Sequence, residues 1–129
     1  MNVFVTGASG FLGSRLIQVL ASDPGQRFIC SASYRSLDNV EPNISIFHGG
    51  ILDIDRYALG GVDVLIHCAA RVHVMNEESA SSSQAFTEVN VEGSINLAKQ
   101  AASAGVRRFI FISSIKVNGE ETSDTLKPF

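Results

Sequence analysis

No apolar run in this sequence approaches the length of a membrane span. The opening MNVFVTG also lacks the charged and apolar regions of a secretory signal, so a soluble, cytoplasmic protein is expected. There is no basic block and no Lys/Arg stripe. Ten Lys plus Arg stand against thirteen Asp plus Glu, a formal net charge of −3 with both signs scattered along the chain, which argues against nucleic acid and anionic membrane as partners. Cysteine is scarce. Cys30 and Cys68 each sit inside an apolar, strand-like run and read as reduced, small buried hydrophobes without a disulfide. His48, His67 and His73 show no zinc spacing, so no metal is expected and the histidines carry no functional signal. What remains is ordinary globular material, 45% hydrophobic and 18% charged over 129 residues, enough for one domain with one core.

Residues 2–6 (NVFVT) are apolar and β-branched and end at a glycine, the punctuation of a buried parallel strand. Phe11, Leu12, Leu16, Val19 and Leu20 then recur at helical spacing until SDPG closes the pattern near Ala21. Further strands are expected at Arg27–Tyr34, Ile44–Phe47, Val62–Ala70 and Arg107–Ser114, with one or two helical turns over 53–59. Residues 84–104 read as one long helix carrying Phe86, Val89, Gly93, Leu97 and Ala101 near one face, with Gly105 at its C′ position. The polar NEESASSS before it has loop composition. Strands that are apolar throughout and mostly alternate with helices predict an α/β domain with a parallel sheet covered on both faces.

Gly7, Gly10 and Gly13 form GxxGxxG between the first strand and the first helix. In that position glycines serve a tight turn, leave room for a pyrophosphate at the backbone N–H groups and let the helix pack closely on the strand. The helix N-terminus adds free donors and the positive end of a dipole. Dinucleotide binding is the reading. The alternative phosphate loop, GxxxxGK, is absent because no lysine follows Gly13. An acidic residue about 20 positions beyond the glycines selects NAD, and an arginine there accommodates a 2′-phosphate. The count from Gly13 reaches Ser33, Tyr34 and Arg35, with no acid before Asp38. Arg35 tilts the expectation to NADP, with NAD left open through Asp38.

The segments VTGASGFLGSRL (5–16), LIHCAA (65–70), VNVEGSINL (89–97) and RRFIFISSIKVNG (107–119) together resemble the extended short-chain dehydrogenase/reductase family, in its NAD(P)-dependent nucleotide-sugar epimerase, dehydratase and reductase branch. The resemblance implies a Rossmann-type doubly wound parallel sheet. AARVHVMNE (69–77) is similar to the subgroup acting on UDP-linked sugars of surface polysaccharides. By this likeness the phosphate loop falls on Gly7, Gly10, Phe11, Leu12 and Gly13, and Cys68, Ala69 and Ala70 lie along the cofactor. Asn90 matches an asparagine that supports a catalytic lysine, and Ser114 matches the catalytic serine. The sequence departs from the family twice. Gly50 stands where an adenine-binding aspartate is common, leaving that contact to backbone at Ile51. The catalytic YxxxK motif has no match either, since neither Tyr34 nor Tyr57 has a lysine four residues on. An N-terminal fragment is therefore expected, truncated after the fifth strand and inactive by itself. The whole enzyme would move a hydride at a carbon of a UDP-linked sugar and would be a homodimer paired through the 84–104 helix. The alternative is a non-catalytic NADP(H)-binding sensor or scaffold on the same fold.

Overall fold

The computed structural model describes residues 1–23, 25, 27–32, 42–71 and 80–114. Five strands form one sheet: β1 (Asn2–Thr6), β2 (Arg27–Ala32), β3 (Ile44–His48), β4 (Val64–His67) and β5 (Arg108–Phe111). All four pairings are parallel, in the order β3-β2-β1-β4-β5. The order reverses direction between β1 and β4, the point at which doubly wound sheets open a crevice beyond their carboxyl ends.

Side chains alternate across a strand, and here each parity has its own core. Val3, Val5, Val64 and Ile66 join Cys30, Ala8 and Ile17 on the face covered by α1 (Phe11–Ala21). Phe4 and Leu65 join Ile54, Leu59, Val62, Leu97 and Ala101 on the other face. That second face is covered by a rod of three pieces: α2 (Ala80–Thr87), a π-helical stretch (Glu88–Gly93) and α3 (Ser94–Ser103). The rod replaces the single α-helix expected over 84–104. Apolar positions four apart overshoot a turn of about 3.6 residues, and the wider π turns take up part of that drift. Leu97, Ala101 and Gly93 are buried as the spacing predicted. The rod ends at Gly105, whose φ of 78° is left-handed. Its N–H donates to Ala102 O and that of Val106 to Ala101 O, a Schellman termination.

The fourth and fifth strands are shorter at both ends than the apolar runs that announced them. The expected helical turns at 53–59 become a 3₁₀ turn at Ile51–Asp53 followed by a turn from Asp55, whose carboxylate accepts from Tyr57 N and Ala58 N. Tyr34 and the rest of the second strand's expected end lie outside the described residues. Both cysteines are free, with Cys30 buried and Cys68 only half-buried, and burial pushes each thiol above its ordinary value.

Candidate functional site

The carboxyl ends of β1 and β4 meet at the glycine turn. Gly7 has a φ of 69°, and a Cβ there would stand 2.7 Å from Ala69 N and 2.8 Å from Cys68 C, so two independent reasons demand glycine. The turn closes through Gly10 N donating to Gly7 O at 2.9 Å. A Cβ on Gly13 would run into the Gly7 carbonyl oxygen, which is how α1 comes so close to the strand. Gly10 caps α1 in extended conformation with no side-chain bond, and the first turn holds no acidic residue. The helical ladder starts with Ser14 N donating to Gly10 O. The N–H groups of Phe11, Leu12 and Gly13 therefore precede it, as the first donors of any helix do. Beside them the Phe11 side chain is 99% exposed and that of Leu12 about half exposed. Such an end attracts an anion, by its donors and by its dipole.

Beneath the turn runs a chain of buried polar groups. Thr6 and His67 are register partners, 0% and 1% exposed on an otherwise apolar face. Ala69 N donates to Thr6 Oγ1 at 3.2 Å, Thr6 Oγ1 lies 2.6 Å from His67 Nδ1, and His67 Nε2 lies 2.8 Å from Ser94 Oγ. Ser94 in turn donates to Asn90 O at 2.8 Å. A hydroxyl has one proton to give. With Ser94 donating to the Asn90 carbonyl, the assignment that satisfies every group has His67 Nε2–H donating to Ser94 and Nδ1 accepting from the Thr6 hydroxyl. Burial holds the imidazole below its ordinary pKa, in keeping with this neutral tautomer. The rings of Phe111 and Phe109, at 5.5 and 6.2 Å between centroids, complete its surroundings on β5.

Asn90, in the π-helical stretch, reaches back across the crevice. Its Oδ1 accepts from Arg71 N at 2.7 Å and its Nδ2 donates to Arg71 O at 2.8 Å, clamping the main chain that leaves β4. Gly93 makes room at the other side of the same stretch: a Cβ there would stand 3.1 Å from Ile51 Cγ2. Ile51 thus packs its side chain into the second core. At Gly50, which replaces the expected aspartate, the N–H donates to Asp53 Oδ2 at 2.7 Å, so a carboxylate closes this turn from three residues further on.

The glycine turn and the Cys68–Ala70 segment are thus in direct apposition, and Asn90 is joined to the continuation of that segment. Ser114 is exposed, three residues beyond β5 on the same edge of the sheet. Arg35 lies outside the described residues. His67, expected to carry no functional signal, is buried and hydrogen-bonded through both ring nitrogens, a structural place that the sequence reading did not anticipate. The signal was a polar residue ending each of two adjacent apolar strands, Thr6 and His67, with the same side-chain parity. Among the described residues no group of three His, Cys, Asp or Glu could hold a metal ion, and no helix is long and apolar enough to cross a membrane.

Residues 3–128 match the NAD dependent epimerase/dehydratase family. The chain belongs to that family. It is 40% identical over 126 residues to a UDP-glucose 4-epimerase of Vibrio cholerae, covering 94% of this chain and 37% of that protein. It is 34% identical to a 3 beta-hydroxysteroid dehydrogenase/Delta 5→4-isomerase of Mycobacterium tuberculosis, covering 90% of this chain and 32% of that one. Among solved structures, a dTDP-glucose 4,6-dehydratase from Streptomyces venezuelae with NAD bound superposes with a TM-score of 0.81 at 32% identity, over 96% of this chain and 42% of the other. The chain therefore spans between about a third and two fifths of the length of these relatives.

Proposed function

We propose that this chain is the dinucleotide-binding part of an NAD(P)-dependent nucleotide-sugar epimerase or reductase. One observation carries the reading: at the sheet's reversal point the glycine turn packs so tightly on Cys68, Ala69 and α1 that neither Gly7 nor Gly13 has room for a Cβ, and it opens onto an α1 N-terminus with no side-chain cap. The N–H groups of Phe11, Leu12 and Gly13 would hold the diphosphate of the dinucleotide, with Gly10 leaving the approach clear. Cys68, Ala69 and Ala70 would lie along the cofactor, and the backbone at Ile51 would supply the adenine contact. The cofactor supplies hydride exchange with a sugar carbon. Ser114 bonds the reacting hydroxyl or ketone, orienting and polarising it, and Asn90 holds the local backbone. Arg35 favours NADP over NAD, whereas the dehydratase relative binds NAD.

A UDP-linked sugar is the substrate class favoured by the Vibrio epimerase likeness. Val91 and Ile95, about half exposed along the helical rod, support pairing of two copies through that face. Residues 1–129 form one cofactor domain and bind without turnover, since no YxxxK occurs among them.

Titration with NADH and NADPH, followed by nicotinamide fluorescence, tests the reading. Saturable binding that Gly10→Val removes supports it, and absence of binding to the unmodified chain sinks it. Reading the source gene beyond Phe129 tests the activity: YxxxK within a few dozen codons is expected, and its absence favours a non-catalytic binding module.

A further inference from the structure

In the assignment that satisfies every group, the hydrogen bonds beneath the glycine turn run in one direction. Each link donates toward Asn90: Ala69 N–H to Thr6, Thr6 to His67 Nδ1, His67 Nε2–H to Ser94, and Ser94 to the Asn90 carbonyl. Both ends of this run grip the same stretch of main chain. Thr6 holds Ala69 at one end, while at the other Asn90, whose carbonyl is the terminal acceptor, holds Arg71 through its side chain. The run crosses from the sheet to the helical rod only through the imidazole ring.

We propose that His67 is a positioning residue: its ring, as the Nε2–H tautomer, couples the strand entering the glycine turn to the Asn90 clamp on Arg71, so that residues 69–71 are set as one unit. Three features make the ring suited to this. It is rigid and spans Thr6 to Ser94 with one acceptor and one donor, a pattern that no aliphatic side chain supplies. Phe109 and Phe111 lie beside it, limiting reorientation. Hydrogen bonds in a dry interior polarise one another, so a break at one link weakens the rest. The π-helical stretch belongs to the same device, because it carries the Asn90 carbonyl and side chain side by side in the rod. The consequence for the cofactor rests on the proposed function, since residues 69–71 border the dinucleotide only in that reading.

Amide hydrogen exchange on the chain tests the coupling without any ligand. Thr6→Val removes one hydroxyl at nearly constant shape and touches neither Asn90 nor Arg71. Coupling predicts that it speeds exchange at Arg71 by about fivefold, the loss expected for one hydrogen bond, while the core amides of Phe4 and Leu65 keep their protection. Ser94→Ala does the same at Ala69, the double variant adds little to either single one, and Thr6→Ser restores the original rates. If each variant speeds exchange only at its own neighbour, or their effects simply add, His67 merely satisfies two local contacts and the proposal falls. Should Thr6→Val fail to fold, ring ¹⁵N shifts of His67 in the unaltered chain decide: a neutral ring protonated at Nε2 is required, and an Nδ1–H tautomer or an imidazolium near neutral pH overturns the relay. NADH and NADPH titrations of the same variants form a separate arm. A severalfold weaker affinity, recovered in Thr6→Ser, is expected, and an unchanged affinity removes the positioning role. If the unaltered chain binds neither dinucleotide, the functional reading fails, while the exchange data still judge the coupling.

Discussion

The two faces of the sheet solve the same packing problem differently. On the α1 face, β1 and β4 present only apolar side chains, and a regular helix lies over them. On the other face the same strands begin apolar, at Phe4 and Leu65, and end polar, at Thr6 and His67. There the covering rod is partly π-helical and brings Ser94 and Asn90 to meet the polar pair. A purely apolar face asks only for volume. A face with buried polar groups must also satisfy each donor and acceptor, and the helix departs from regularity where it does so. The contrast separates a supporting face from a site-building one.

The largest effects should show the two faces to be alike as cores. Ile17→Ala beneath α1 and Leu97→Ala beneath α3 are each expected to cost about 2–5 kcal/mol, read as a shift in urea midpoint. A much smaller cost at Leu97 would mean that the rod is loosely held. Gly7→Ala comes next, at about 1–3 kcal/mol of backbone strain, together with the clash against Ala69; it should also abolish dinucleotide binding, which Ile17→Val should spare. A pH titration sharpens the difference between the faces. Because burial lowers the pKa of His67 in the folded state, the unfolded chain takes up a proton first. Its contribution is therefore complete above the ordinary value of 6.5 and is lost as pH falls below it. Stability of the unaltered chain should decline on acidification through that range, more steeply than that of His67→Gln. The smallest change is expected at the opposite edge of the sheet. There Asp63 accepts from Asn2 N at 2.9 Å and pairs with exposed Arg107 at 3.0 Å, and its carboxyl is lowered chiefly by the Asn2 bond and then by Arg107. Arg107→Ala should shift the urea midpoint little, and less still in high salt.

Much of the architecture was legible because its signals are local. The β-branched runs, the helical period from Phe11 to Ala21, the three glycines and Gly105 each report a backbone requirement within a few residues. Helix continuity from 84 to 104 was misjudged because apolar positions four apart fit a regular helix nearly as well as one with π turns, and the hydrogen-bond register that separates the two is not written in the spacing. His67 was passed over for a related reason: as an isolated histidine in an apolar run it has no motif, and its meaning depends on Thr6, Ser94 and Asn90, up to 61 residues away.

By itself, then, the sequence determined the alternation of strands and helices, the place of the glycine turn and the family. These rest on hydrophobic period and on the absence of side chains at Gly7, Gly10 and Gly13, which neighbours in the chain suffice to reveal. Only the tertiary structure decided which backbone presses on Gly7, how Asn90 comes to hold Arg71, and which polar groups meet beneath the turn. Those follow from the parallel pairing of β1 with β4 and from the rod laid across them, since a buried polar group takes its partner from whatever the fold brings within about 3 Å.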